Sequence, residues 1–133
     1  MLASVADWAA GVPDVRAVAL VGSYAYRRPR MSSDVDLVVL TDVPGRYGAW
    51  LGDQPPIGPA LLIRRGDWGP LTEYCFRRRS GLQVEVGVAP ASWAATEPVD
   101  AGTARVVGHG LRVVHDPEGL LAALRATVGA LRR

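Results

Sequence analysis

The chain contains no lysine: all 15 of its basic residues are arginine. This absence excludes a lysine nucleophile, Schiff-base chemistry and a Walker-type phosphate loop, each of which depends on lysine. The one cysteine, Cys75, cannot form an internal disulfide, and a single thiol is typical of a protein in the reducing cytosol. No apolar run approaches the roughly 20 residues of a membrane span, and no cationic segment precedes an apolar stretch at the start. We therefore expect a cytoplasmic protein that does not bind membranes.

Size and composition favour one globular domain. The 133 residues are 49% hydrophobic and 21% charged, which is enough for one domain over 1–133 with a real core and too little for two full domains. The net charge of +2 is small, so direct DNA binding through a strongly cationic surface is not expected.

Hydrophobic periodicity predicts alternating helices and strands. The predicted helices lie near the N-terminus up to residue 11, at 24–28, 47–51 and 100–107, and from 116–118 towards the end of the chain. The predicted strands are 15–21, 34–40, 60–63, 71–79, 82–89 and 111–114, with a hairpin turn at Ser80-Gly81.

The segment 82–89 has the alternation of a half-buried strand. Its even-numbered positions are apolar, whereas Glu85 is the one carboxylate on the opposite face. A hairpin closed at Ser80-Gly81 predicts that Phe76 lies opposite Glu85 and that Arg78 lies opposite Gln83.

Two aspartates two residues apart stand in the predicted strand 34–40. In a strand, Asp34 and Asp36 project from the same face, while Val35 and Leu37 point into the core. Two adjacent carboxylates repel each other unless a cation neutralises them. Oxygen ligands without nearby His or Cys favour Mg²⁺ or Mn²⁺, and Glu85 on a neighbouring strand is the candidate third ligand. The alternative is that these are solvated surface acids.

A glycine-serine corner precedes the aspartates. Gly22 allows a close approach of the backbone, and Ser23 opens a short helix whose free N–H groups favour phosphate. Arg27 and Arg28 follow, where their guanidinium groups are placed to bind phosphate. Ser23 as a helix cap alone, and the two arginines as a solvated face, are the alternatives.

The motif Val21-Gly22-Ser23, ten residues, then Asp34-Val35-Asp36-Leu37 resembles the signature of the DNA polymerase β-like nucleotidyltransferase superfamily. The similarity is to its branch of minimal, single-domain nucleotidyltransferases. It is specific over residues 20–40, and looser similarity continues through Trp68-Gly69-Pro70, Gly81, Val84-Glu85 and Trp93.

The resemblance implies an α+β fold, with a mixed sheet of about 4–6 strands flanked by helices. It also implies Mg²⁺-dependent transfer of NMP, with AMP favoured, from ATP or another NTP to an acceptor hydroxyl. By position, Gly22 and Ser23 match the phosphate corner, and Asp34, Asp36 and Glu85 match the metal-binding carboxylates. One departure is that many members carry Arg where this chain has Tyr26, followed by Arg27.

The resemblance leaves the acceptor open. The minimal branch often acts with a small helical HEPN protein as a toxin–antitoxin pair, which implies such a partner or a homodimer that completes the cleft. A small-molecule acceptor such as an aminoglycoside is the competing expectation. A module of the same fold that binds nucleotide or partner without turnover is the hypothesis from a different class.

Overall fold

The computed structural model describes residues 2–21, 35–47, 57–108 and 110–131. Its helices are α1 (Leu2–Ala10), α2 (Ala101–Gly108) and α3 (Leu120–Leu131), and short 3₁₀ turns occupy Pro44–Arg46 and Ala91–Ala94. Its strands are β1 (Val15–Val21), β2 (Val35–Thr41), β3 (Ala60–Trp68), β4 (Leu71–Arg78), β5 (Gln83–Ala89) and β6 (Leu111–His115). None of the described helices is long and apolar enough to cross a bilayer.

The strands form one mixed sheet of six strands in the order β3-β4-β5-β2-β1-β6. The central neighbours β2 and β5 are parallel, while the other neighbouring strands pair antiparallel. A mixed sheet flanked by helices is the α+β fold that the sequence predicted. The parallel pair at its centre places the beginnings of β2 and β5 side by side.

Both faces of the sheet are covered by apolar side chains. Because side chains alternate along a strand, each strand supplies one set of residues to each face. One face packs against α1, through a cluster that includes Val5, Leu20, Leu37, Phe76 and Val86. The other face packs against α2 and α3, through a cluster that includes Ala19, Val38, Trp93, Val107 and Leu124.

The hairpin from β4 to β5 differs from its predicted register by one residue. Phe76 lies opposite Val84, and Cys75 lies opposite Glu85, so the predicted pairing of Phe76 with Glu85 is wrong. The loop comprises 79–81 rather than two residues, because the Arg78 N–H donates to the Leu82 carbonyl and closes the hairpin there. This register puts Phe76 in the core, where it is fully buried.

Two element boundaries also differ from expectation. Strand β3 continues to Trp68, since Gly69, at φ 63°, and Pro70 form a tight turn that pairs its end with Leu71. Helix α3 begins at Leu120 rather than at Pro117, because Gly119 has a left-handed φ of 73° that no helical residue adopts.

A part-buried cluster around Asp14 ties the end of β2 to the start of β1. The Thr41 and Tyr47 hydroxyls each donate a 2.6 Å hydrogen bond to Asp14 Oδ2. Burial opposes ionisation of Asp14, but these two hydrogen bonds outweigh it and lower the pKa of its carboxyl group. The carboxylate form is therefore the one that stabilises the fold.

We expect Asp14→Ala to lower the free energy of unfolding by about 2 kcal/mol at neutral pH, because it leaves two hydroxyls without their acceptor. Since the folded-state pKa is lowered, this stabilisation is present above the ordinary pKa of 3.8 and is lost as the pH falls through the folded value. Urea unfolding at several pH values measures the difference, with Asp7→Ala on the exposed face of α1 as the control. A difference between the two variants that did not shrink in acid would contradict this account.

Candidate metal and nucleotide site

Asp36 and Glu85 occupy adjacent positions at the centre of the sheet. They are direct partners in the parallel register of β2 and β5. Both belong to the face that packs against α2 and α3, since the alternate residues Val35, Leu37 and Val84 point into the core on the other side. The two side chains are hydrogen-bonded to each other. The structure thus brings these two predicted site residues together.

The surroundings of Glu85 disfavour a negative charge. Partial burial, followed by a hydrogen bond with Glu73 and the negative charge of Glu73, raises the pKa of Glu85 to about 7. The hydrogen bond with Asp36, and the one that Arg64 Nη2 donates to Glu85 Oε1 at 3.0 Å, act in the opposite direction. The net effect is a set of crowded carboxylates that holds a proton close to neutral pH.

Glu73 is a third carboxylate of this face that the sequence analysis missed. It lies on β4, directly opposite Gly87 of β5 and diagonal to Glu85. The register expected from the sequence put Glu73 on the opposite, apolar face, and only the longer loop 79–81 turns it towards Glu85. The sequence does contain a signal for it, because Glu73 is a charged residue directly before the apolar residues 74–76 of a predicted strand.

A cavity of about 460 Å³ opens over these carboxylates. Asp36, Glu73 and Glu85 line it on the side of the sheet, and α2 lines it on the other side. Its volume lies within the usual range for small-molecule sites. Apolar side chains contribute much of the remaining wall, among them Leu71, Trp93 and Val106, and α2 adds the polar side chains of Thr103 and Arg105.

The side chains in this cavity suit a hard divalent cation. Its acidic side chains, Asp36, Glu73 and Glu85 among them, offer carboxylate oxygens, the ligand type that Mg²⁺ and Mn²⁺ prefer, and no described His or Cys lines the cavity. A cation bound here would displace the proton that the raised pKa of Glu85 favours. Among the described residues, no group of three His, Cys, Asp or Glu side chains is arranged to hold a metal ion. The structure brings together Asp36 and Glu85, two of the three side chains that the sequence analysis named as candidate ligands.

The other predicted site residues lie outside the described part of the chain. These are the third carboxylate Asp34 and the phosphate-binding candidates Gly22, Ser23, Arg27 and Arg28. The described residues on either side of that segment reach the site, since Val21 lies directly opposite Asp36 and Val35 precedes it.

Cys75 lies between Arg64 and Glu85 across the sheet. Burial raises the pKa of its thiol, so the thiol remains protonated at neutral pH and does not act as a nucleophile.

Comparison with known proteins adds no relative on which to base an assignment. No protein family matches the chain, and no curated protein is significantly similar to it.

Proposed function

We propose that this protein is a Mg²⁺-dependent nucleotidyltransferase that moves NMP, with AMP favoured, from an NTP to an acceptor hydroxyl. The observation that carries the proposal is the pairing of Asp36 with Glu85 across two parallel strands, inside a cavity of suitable volume. The motif of Gly22, Ser23, Asp34 and Asp36 supports the same reaction from the sequence.

In this proposal Asp34, Asp36 and Glu85 hold the divalent cation. Held there, the cation would supply neutralisation of the triphosphate charge and a lowered pKa for an acceptor hydroxyl. The task of the protein is to fix the carboxylates in position and to exclude water, which the rigid central strands and the α2 cover support. Gly22 and Ser23 are the proposed contacts for the triphosphate, with Arg27 and Arg28 beside them.

The acceptor is the part of the proposal with the fewest constraints. A hydroxyl of a partner protein, as expected for a HEPN-type pair, and a small molecule of the aminoglycoside kind both remain candidates. A cytoplasmic location fits all of these, because NTPs and Mg²⁺ are abundant there and Cys75 is a free thiol.

The test uses ATP labelled at either the α- or the γ-phosphate. With Mg²⁺ and candidate acceptors present, we expect α-label to appear on an acceptor while γ-label leaves as pyrophosphate. Label transferred only from the γ-position would show phosphoryl transfer and overturn the proposal. Binding of Mg·ATP with no transfer from either position to any acceptor would favour the non-catalytic module.

A further inference from the structure

We propose that Arg105 on α2 binds the phosphate groups of the donor nucleotide, from the wall of the cavity that faces the carboxylates. The proposal rests on the function proposed above. Arg105 lines the same cavity as Asp36 and Glu85, and it is the one basic residue among the described residues of the lining.

The guanidinium group of Arg105 is available for a ligand. The ion pairs formed among the described residues involve Arg16, Arg64 and Arg65, and none includes Arg105. Asp100, the acid at the start of the same helix, is occupied, because its Oδ2 accepts the Thr103 N–H at 3.0 Å. Arg105 is exposed, forms none of these ion pairs and lines a cavity that also contains carboxylates. It is therefore suited to bind an anion that enters the cavity as a complex with a cation.

The backbone that carries Arg105 is firmly held. Two residues before it, Thr103 is buried and donates its hydroxyl to the Trp93 carbonyl at 3.1 Å. Two residues after it, Val107 packs into the core beneath the helix. Arg105 therefore projects from a fixed position, which lowers the entropy cost of binding a ligand.

Phosphate is the ligand chemistry that these surroundings fit. Asp36 and Glu85 would hold a divalent cation on the sheet side of the cavity, and Arg105 on α2 would then meet the phosphate oxygens of a nucleotide bound with that cation. Arginine forms two parallel hydrogen bonds with such oxygens, and all 15 of the Lys and Arg residues counted together in this chain are arginine. Gly102, about one turn before Arg105, also lines the cavity and adds no side chain to it.

Titration calorimetry with Mg·ATP and with Mg·pyrophosphate tests this proposal. We expect Arg105→Ala to raise the Kd of both ligands about tenfold and to reduce the dependence of Kd on salt concentration. Arg105→Lys should lose less, because it keeps the charge and gives up only the paired hydrogen bonds. Arg125→Ala is the matched control, since Arg125 is an exposed arginine on α3 that does not line this cavity.

The outcomes separate this proposal from the function on which it rests. Wild-type binding of Mg·ATP with equal Kd in Arg105→Ala and Arg125→Ala would overturn the role of Arg105 and leave the proposed function standing. A loss of Mg·ATP binding without a loss of Mg·pyrophosphate binding would assign Arg105 to the nucleoside and also overturn the proposal. No binding of either ligand by the wild-type protein would overturn both.

Discussion

Asp36→Asn is expected to lower the rate of NMP transfer at least about 10³-fold, equivalent to about 4 kcal/mol of transition-state stabilisation. The substitution keeps the shape of the side chain and removes the negative charge that lies beside Glu85 at the centre of the sheet. Because an amide is a poor ligand for a hard cation that is shared with phosphate, catalysis should fall far more than nucleotide binding. The transfer of α-label from ATP measures the effect.

The matched control is Asp42→Asn, just after the end of the same strand. Asp42 is exposed and forms an ion pair with Arg16 at 2.8 Å, away from the cavity. Its loss should leave transfer unchanged, and the melting temperatures of the two variants should both stay close to wild type. Transfer by Asp36→Asn within a fewfold of the control would remove Asp36 from the catalytic centre.

Glu85→Gln is expected to make the metal-free protein more stable in mild base while it abolishes transfer. Glu85 has a folded-state pKa of about 7, above its ordinary value of 4.5. A raised pKa means that the stability contribution is fully present below the ordinary value and is lost as the pH rises through 7. The cause is the partial burial of Glu85 and its closeness to Glu73, which the hydrogen bonds with Asp36 and Arg64 offset only in part.

The expected size follows from that shift. Between about pH 5.5 and about pH 8.5, the wild-type protein should lose about 2 kcal/mol of unfolding free energy that the Glu85→Gln variant does not lose. Urea unfolding in the presence of a chelator measures this difference, with Asp7→Asn as a control that should follow wild type. Equal pH dependence in all three proteins would show that Glu85 is not held in a strained, protonated cluster.

A gain in stability combined with a loss of activity would be informative. Replacing a residue whose only role is structural should not make the protein more stable. Mg²⁺ with ATP should raise the melting temperature of the wild-type protein at pH 8 more than that of Glu85→Gln, because the variant has lost one of the proposed ligands.

The central strands were predictable because their sequences are locally unambiguous. β1 is a run of buried, mostly β-branched or small residues, and it occupies Val15–Val21 as expected. The alternation in β5 correctly separated Val84, Val86 and Val88 from Glu85. The face on which Asp36 and Glu85 lie therefore followed from residue parity alone.

The site residues that were not predicted from the sequence depend on contacts between distant parts of the chain. The side on which Glu73 lies depends on whether the hairpin loop after β4 has two or three residues, and Ser80-Gly81 fits both. The position of Arg105 depends on how α2 packs across the sheet. That packing is set by the burial of Thr103 and Val107, which exists only in the folded protein. Such contacts arise from tertiary packing, so a single sequence does not reveal them.

The most direct test is whether Asp36 on β2 and Glu85 on β5 bind one cation together. Mn²⁺ binding in the presence of ATP measures this, with the electron paramagnetic resonance signal of the free ion as the readout. We predict stoichiometric binding by the wild-type protein, and a Kd at least about tenfold weaker for Asp36→Asn and for Glu85→Gln alike. The Asp42→Asn protein should bind as tightly as wild type. Equal affinity in all four proteins would contradict the account.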